Sequence, residues 1–131
     1  MALSERVPKI NAMLLCERAI RDAEIGTISL ISIIENVKGG LPFTIPTITL
    51  YAKMTEAEGD YEFKVEVVRR DNMSQIAEAK LGPVTIPDPH ATLDIIMALG
   101  NLRFDAAGHY DFRLYANDKF LSEKGLKIDA A

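Results

Sequence analysis

An all-β fold, an antiparallel two-sheet β-sandwich of about seven or eight strands, is what this sequence predicts, and three observations carry that reading. Tyr61, Phe63, Val65 and Val67 alternate with Glu62, Lys64 and Glu66, and Tyr110, Phe112 and Leu114 alternate with Asp111, Arg113 and Tyr115. A period of two turns one face of a strand to a core and the other to water. Turn-forming residues, among them Lys38-Gly39-Gly40, Gly59 and Asn117-Asp118, punctuate the chain at short intervals. No long stretch keeps an apolar period of 3.6.

From the N-terminus, Ile10 to Glu24 admits two readings. Ile10, Met13 and Leu14 fall at helical spacing, with Glu17/Arg21 and Arg18/Asp22 able to pair across a turn. Ile10, Ala12, Leu14 and Cys16 also alternate with Asn11, Met13, Leu15 and Glu17, and Glu17 would interrupt a helical stripe. Strand is preferred, with a short helix over 17–24 as the alternative. Gly26 then opens Thr27 to Val37, rich in β-branched residues and apolar on both faces, as expected of a central strand.

Pro42 and Pro46 lack an N–H for a ladder, so the stretch before Thr47 is expected at an edge, at a strand start or outside a sheet. Ile48, Leu50, Ala52 and Met54 form a second alternating run, and Glu56 to Asp60 with Gly59 reads as its hairpin turn into the Tyr61 strand. Gln75 to Ile86 follows, split by Gly82-Pro83. In Ala91 to Phe104 the apolar phase moves from Leu93, Ile95, Met97 and Leu99 to Leu102 and Phe104, which predicts a β-bulge near Gly100. Asn117-Asp118 tolerate the positive φ of a tight turn, so Tyr110–Tyr115 and Phe120–Ile128 read as a hairpin.

The 131 residues, 48% hydrophobic and 26% charged, suffice for one core without disulfide or metal, and a single domain is expected over residues 8–128 with loosely held ends. A net charge of −4, with cations scattered among anions, disfavours nucleic acid as a partner. The single cysteine, Cys16, and the lack of a signal-peptide pattern favour a cytoplasmic setting. The most apolar run, Ile25 to Ile34, is about half the ~20 residues of a membrane-spanning helix, so no membrane partner is expected.

Asn11-Ala12-Met13-Leu14-Leu15-Cys16-Glu17, the run after Gly26, Leu102-Arg103-Phe104 and Gly108-His109-Tyr110-Asp111-Phe112-Arg113-Leu114-Tyr115 together resemble a family of small uncharacterised bacterial proteins, a domain of unknown function. The resemblance spans nearly the whole chain. It implies a β-sandwich and a bacterial intracellular setting, and it supports strand over residues 10–16. It brings no catalytic or binding residues.

Reactive groups are few. His90, in Pro87-Asp88-Pro89-His90, and His109, in Gly108-His109-Tyr110, read as surface loop residues without a second ligand at metal-binding spacing. Asp88 and Asp105 also fall in loops, but the clustered carboxylates a calcium ion needs are missing. Cys16 reads as a buried small hydrophobe. Asp94 and Asp111 could approach across strands as a glycosidase-like pair, although outward carboxylates on a sandwich are ordinarily solvated. Arg69-Arg70 beside Asp71 reads as a charged strand end. No nucleophile elbow, P-loop or dinucleotide fingerprint occurs, so no catalytic, cofactor-binding or metal residue is assigned and no cofactor is expected.

Surface for partners remains. Ile31 and Ile33 lie opposite in phase to Ile28, Leu30 and Ile34, and Ile96 opposes Ile95 and Met97, so two strands carry apolar residues on the face a sandwich leaves outside. The chain's own loops, or a short helix over 17–24, would cover that face in one reading. In the other, Ile31, Ile33 and Ile96 form an interaction surface for a second copy or another protein. The function expected is a non-enzymatic structural or protein-interaction module that self-associates. A small-molecule-binding β-sandwich is the alternative, and a hydrolase-like enzyme without a recognisable motif comes third.

Overall fold

A computed structural model describes residues 2–131 and is all-β among them. Nine strands follow in order: β1 (Lys9–Arg21), β2 (Ile28–Ile33), β3 (Asn36–Gly39), β4 (Phe43–Thr55), β5 (Gly59–Arg69), β6 (Gln75–Ile86), β7 (Leu93–Phe104), β8 (Gly108–Ala116) and β9 (Lys119–Ala130). They form a four-stranded sheet in the order β2-β1-β4-β7 and a five-stranded sheet in the order β3-β9-β8-β5-β6. The expected sandwich is therefore present, with nine strands, and all ladders are antiparallel except β3–β9, which is parallel. Residues 17–24 form no helix: β1 runs through Arg21 and a turn follows. The helix alternative fails because the β1 backbone is paired from Lys9 to Arg21.

Alternating side chains fill the space between the sheets. Ile48, Leu50, Ala52 and Met54 of β4 and Ile95, Met97 and Leu99 of β7 meet Tyr61, Phe63, Val65 and Val67 of β5 and Phe112, Leu114, Leu126 and Ile128 of β8 and β9. The Phe104 and Tyr110 rings pack edge to face at 4.9 Å, and the Tyr110 hydroxyl donates to the Ala106 carbonyl at 2.7 Å. That pair fixes the corner where β7 passes into β8.

Alternation located the inward faces of β4, β5, β7 and β8 correctly, and the face of β1 and the strand partners less well. β4 and β5 are not a hairpin: they belong to different sheets, and Glu56 (φ 62°), buried Ala57 and Gly59 (φ 108°) arch the chain across the core. Thr27 to Val37 is not a central strand. It divides into β2, the edge of one sheet, and β3, the edge of the other. In β1 an irregularity between Ile10 and Ala12 resets the phase, so Met13 and Leu15, not Leu14 and Cys16, pack on the core.

The expected bulge near Gly100 takes another form. The β4–β7 register is constant from Phe43↔Phe104 to Met54↔Leu93, yet both strands change inward phase at the same place, where Pro46 stands opposite Asn101 (φ 51°). Pro46 has no N–H, which suits a gap in the ladder. It also lies where β4 is paired on one side only, since β1 joins β4 from Thr49 onward. The β8–β9 hairpin stands as expected, with Asn117 (φ 50°) and Asp118 (φ 66°) in its turn. The ends are tied: Ser4 N–H donates to the Asp60 carbonyl at 2.9 Å, and Ala131 N–H to the Gly39 carbonyl at 3.0 Å.

Candidate interaction surface

The surface begins at the β1–β2 turn. Asp22 accepts at Oδ1 from the N–H groups of Glu24 (2.9 Å) and Ile25 (3.1 Å), and Gly26 (φ 76°) donates back to the Asp22 carbonyl at 2.9 Å. Asp is suited to this turn because its short side chain caps the following backbone. Beyond it, β2 returns along β1 from Arg21↔Ile28 to Cys16↔Ile33.

β1 stays beside β4 only as far as Cys16↔Thr49. A straight continuation would carry Arg21 about nine residues, ~30 Å, from the Ala12/Lys53/Asp94 row. Instead the Arg21 guanidinium lies 3.3 Å from the Asp94 carbonyl. The hairpin therefore bends out of the sheet and crosses its outer face. A groove of about 380 Å³ remains beneath it, lined by Glu17, Ala19, Thr49, Ile96 and Ala98.

Under this cover lie polar groups that an outer face would otherwise give to water. Thr49 donates from Oγ1 to the Glu17 carbonyl at 3.1 Å. Tyr51 donates its hydroxyl to Asp94 Oδ1 at 2.6 Å, and Lys53 Nζ stands 3.1 Å from the same oxygen. Burial, then the neighbouring carboxylate, pushes the Tyr51 hydroxyl up. For Asp94 burial acts upward, but hydrogen bonds from Tyr51 and Lys53 and the charges of Lys53 and Arg21 outweigh it and hold the carboxyl below its ordinary value. Cys16 is fully buried, its thiol 3.7 Å from the Thr49 carbonyl and pushed up by burial.

The candidate residues separate. Ile33 is 55% exposed and Ile31 half-buried, both on edge strand β2. Ile96 sits on β7, three strands from β2 in the sheet order, and is partly covered by the hairpin that folds over it. The three do not form one patch on central strands, because a residue apolar on both faces marks a strand that is folded over as readily as one that is central. Ile20 and Ile25, at 43% and 73% exposed, join Ile33 on the hairpin. Neither is marked by the outward phase of Ile31 and Ile33, although Ile20 shares the alternation of β1.

The reactive residues do not converge. Asp88 and His90 lie beside the β4–β5 arch, where Glu56 N–H donates to the Pro89 carbonyl, whereas Asp105 and His109 lie at the far end of β7. His109 is the second residue of β8, an exposed strand position and not a loop. Asp94 and Asp111 occupy opposite outer faces, Asp94 with Lys53 and Asp111 held by Arg70 at 2.7 Å and 3.1 Å, so they are no carboxylate pair. Arg69 closes β5 and pairs with Asp71 at 2.8 Å, the charged strand end expected. Among the described residues no three His, Cys, Asp or Glu side chains gather as a metal site, and no helix is long and apolar enough to cross a membrane.

No curated protein matches the chain. The chain is similar to an immunoglobulin-like protein from Pseudomonas aeruginosa, known from a crystal structure, at 12% identity, covering 98% of this chain and 99% of that one with a TM-score of 0.44. Residues 11–129 match the model of a family of unknown function (DUF6941), and since that match takes in nearly the whole chain, the protein belongs to this family.

Proposed function

We propose that the protein is a non-enzymatic interaction module that associates with a second copy of itself through the β1–β2 hairpin. The observation that carries this reading is the gathering of Ile20, Ile25 and Ile33, all exposed, on one hairpin at the edge of the four-stranded sheet. Exposed aliphatic side chains clustered on one element are costly in water and mark association surfaces. Light scattering on the concentrated protein tests it. The wild type is expected at twice the chain mass, and Ile33→Asp at the monomer mass with its strand spectrum unchanged. A wild type that scatters as a monomer at hundreds of micromolar ends this reading.

One observation favours a second reading, binding of a small apolar molecule. A groove of about 320 Å³ opens where β1 leaves β4, lined by Ile34, Val37, Ile45 and Pro46 together with Glu17 and Ser32. Its size is at the lower end for ligand sites. A thermal-shift screen with a panel of apolar metabolites tests it, and a flat response across the panel removes it.

A further inference from the structure

We propose that the groove where β1 leaves β4 takes a primary alkylammonium, its chain against the aliphatic side chains and its charged head at Glu17. This names the ligand class for the small-molecule reading above and rests on it.

The path of the strands builds the groove. β1 pairs with β4 only as far as Cys16↔Thr49, so from Phe43 to Ile48 β4 has β7 on one side and no strand on the other. At that gap Ile45 of β4 and Val37 of β3, which belong to different sheets, line one groove together with Ile34. All three also pack against the core. Aliphatic surface left open beside a core is withdrawn from water by an aliphatic chain laid along it.

The backbone around the groove is fixed, which keeps it from collapsing. Ile34 N–H donates to the Leu15 carbonyl at 2.8 Å and Lys127 N–H to the Glu35 carbonyl at 3.0 Å, so the passage from β2 to β3 is pinned to both sheets. Pro46, also in the lining, has its φ set by its ring. Ser32 is left-handed at φ 56°, a conformation uncommon for residues with a Cβ and concentrated where ligands are clamped. A preformed site binds without the cost of ordering its walls.

The charge pattern then selects the head group. Glu17 is the charged residue of the lining, and no Lys, Arg or His lines the groove. Among the described residues Glu17 enters no ion pair, whereas Glu35 is met by Lys124 at 3.6 Å. The β1–β2 register sets Glu17 opposite Ser32, between Cys16↔Ile33 and Arg18↔Ile31, and the Thr49 hydroxyl holds the Glu17 carbonyl at 3.1 Å. A carboxylate and a hydroxyl beside aliphatic side chains suit an ammonium, which only donates. A fatty acid would bring a second carboxylate against Glu17, and like charges repel.

NMR titration of the isotope-labelled full chain at neutral pH, read at the amides of Ser32, Val37 and Thr47, tests this with three ligands that share one chain: hexylamine, hexanol and hexanoate. Hexylamine is expected to bind about two- to five-fold tighter than hexanol, the range of an exposed ion pair, with hexanoate weaker than both. From butylamine to hexylamine affinity should rise about four-fold per methylene buried. Glu17→Gln, at an exposed position, should bring hexylamine down to the level of hexanol with the spectrum otherwise unchanged. Hexylamine no tighter than hexanol, or a preference that survives Glu17→Gln, overturns the head-group assignment while an apolar site stands. If none of the three moves those amides at millimolar concentration, both readings of the groove fall.

Discussion

Tyr51 and Asp94 share a 2.6 Å hydrogen bond on the outer face of the four-stranded sheet, beneath the β1–β2 hairpin. Tyr51 is 6% exposed although it points away from the core, so the carboxylate is the acceptor that makes its burial tolerable. Tyr51→Phe should destabilise the fold by about 1–2 kcal/mol at neutral pH. The sign of the pH effect follows from Asp94, held below its ordinary value of 3.8. A carboxyl depressed by folding contributes its full stability above that ordinary value and loses it as pH falls through the folded one. The gap between wild type and Tyr51→Phe in urea unfolding should therefore be constant near neutrality and narrow in acid. A gap unchanged from neutral pH to pH ~3 would show that the carboxylate charge plays no part.

Asn101 holds a φ of 51° opposite Pro46, at the point where β4 and β7 change phase together. A left-handed backbone costs a residue with a Cβ about 1–2 kcal/mol, least for Asn and nothing for Gly. Asn101→Gly should match or exceed the wild-type melting temperature, whereas Asn101→Val should destabilise by about 1–2 kcal/mol. Equal melting temperatures for the two variants would mean that the left-handed geometry is not kept in solution.

The same site shows how far the sequence is legible. The slip from Leu99 to Leu102 was visible, because inward side chains are large and apolar. That Pro46 marks a matching slip in β4 was not, since periodicity within one strand carries no information on its neighbour. For the same reason the inward faces of β4 and β5 could be read and their arch could not: alternation is identical whether the next strand is beside or opposite. The sequence marks Ile31 and Ile33 as apolar residues on an outer face; Ile33 is exposed and Ile31 half-buried. Their place at an edge depends on β1 leaving β4 after Cys16, a bend that no local signal marks.

Tyr61 is fully buried and its hydroxyl ties three segments: it accepts from Glu58 N–H at 3.0 Å, meets Ser4 Oγ at 3.1 Å and donates to the Arg6 carbonyl at 2.9 Å. Tyr61→Phe should cost about 1–2 kcal/mol by leaving the part-buried Glu58 N–H and Arg6 carbonyl without this partner. It should also release the N-terminal strap, seen as faster amide exchange at Ser4, whose N–H is bonded to Asp60. Unchanged exchange there would place the strap under the control of Asn117, which donates to the Ser4 carbonyl at 2.9 Å.

Phe112 and Phe120 separate core from surface within one hairpin. Phe112 points inward from β8 and is fully buried, whereas Phe120 on β9 is 46% exposed, its ring edge-on to Tyr115 at 5.8 Å and beneath the Arg113 guanidinium at 4.9 Å. Phe112→Ala leaves a cavity between two sheets whose backbones are held by ladders on both sides, so collapse around it is limited and a loss of about 3–5 kcal/mol is expected. Phe120→Ala removes partial burial and a solvent-screened cation contact, for about 1 kcal/mol or less. Urea unfolding of the two variants measures the difference. Similar losses would mean that the outer face of the five-stranded sheet is covered in solution, by a partner that this aromatic and cationic pair would then help to bind.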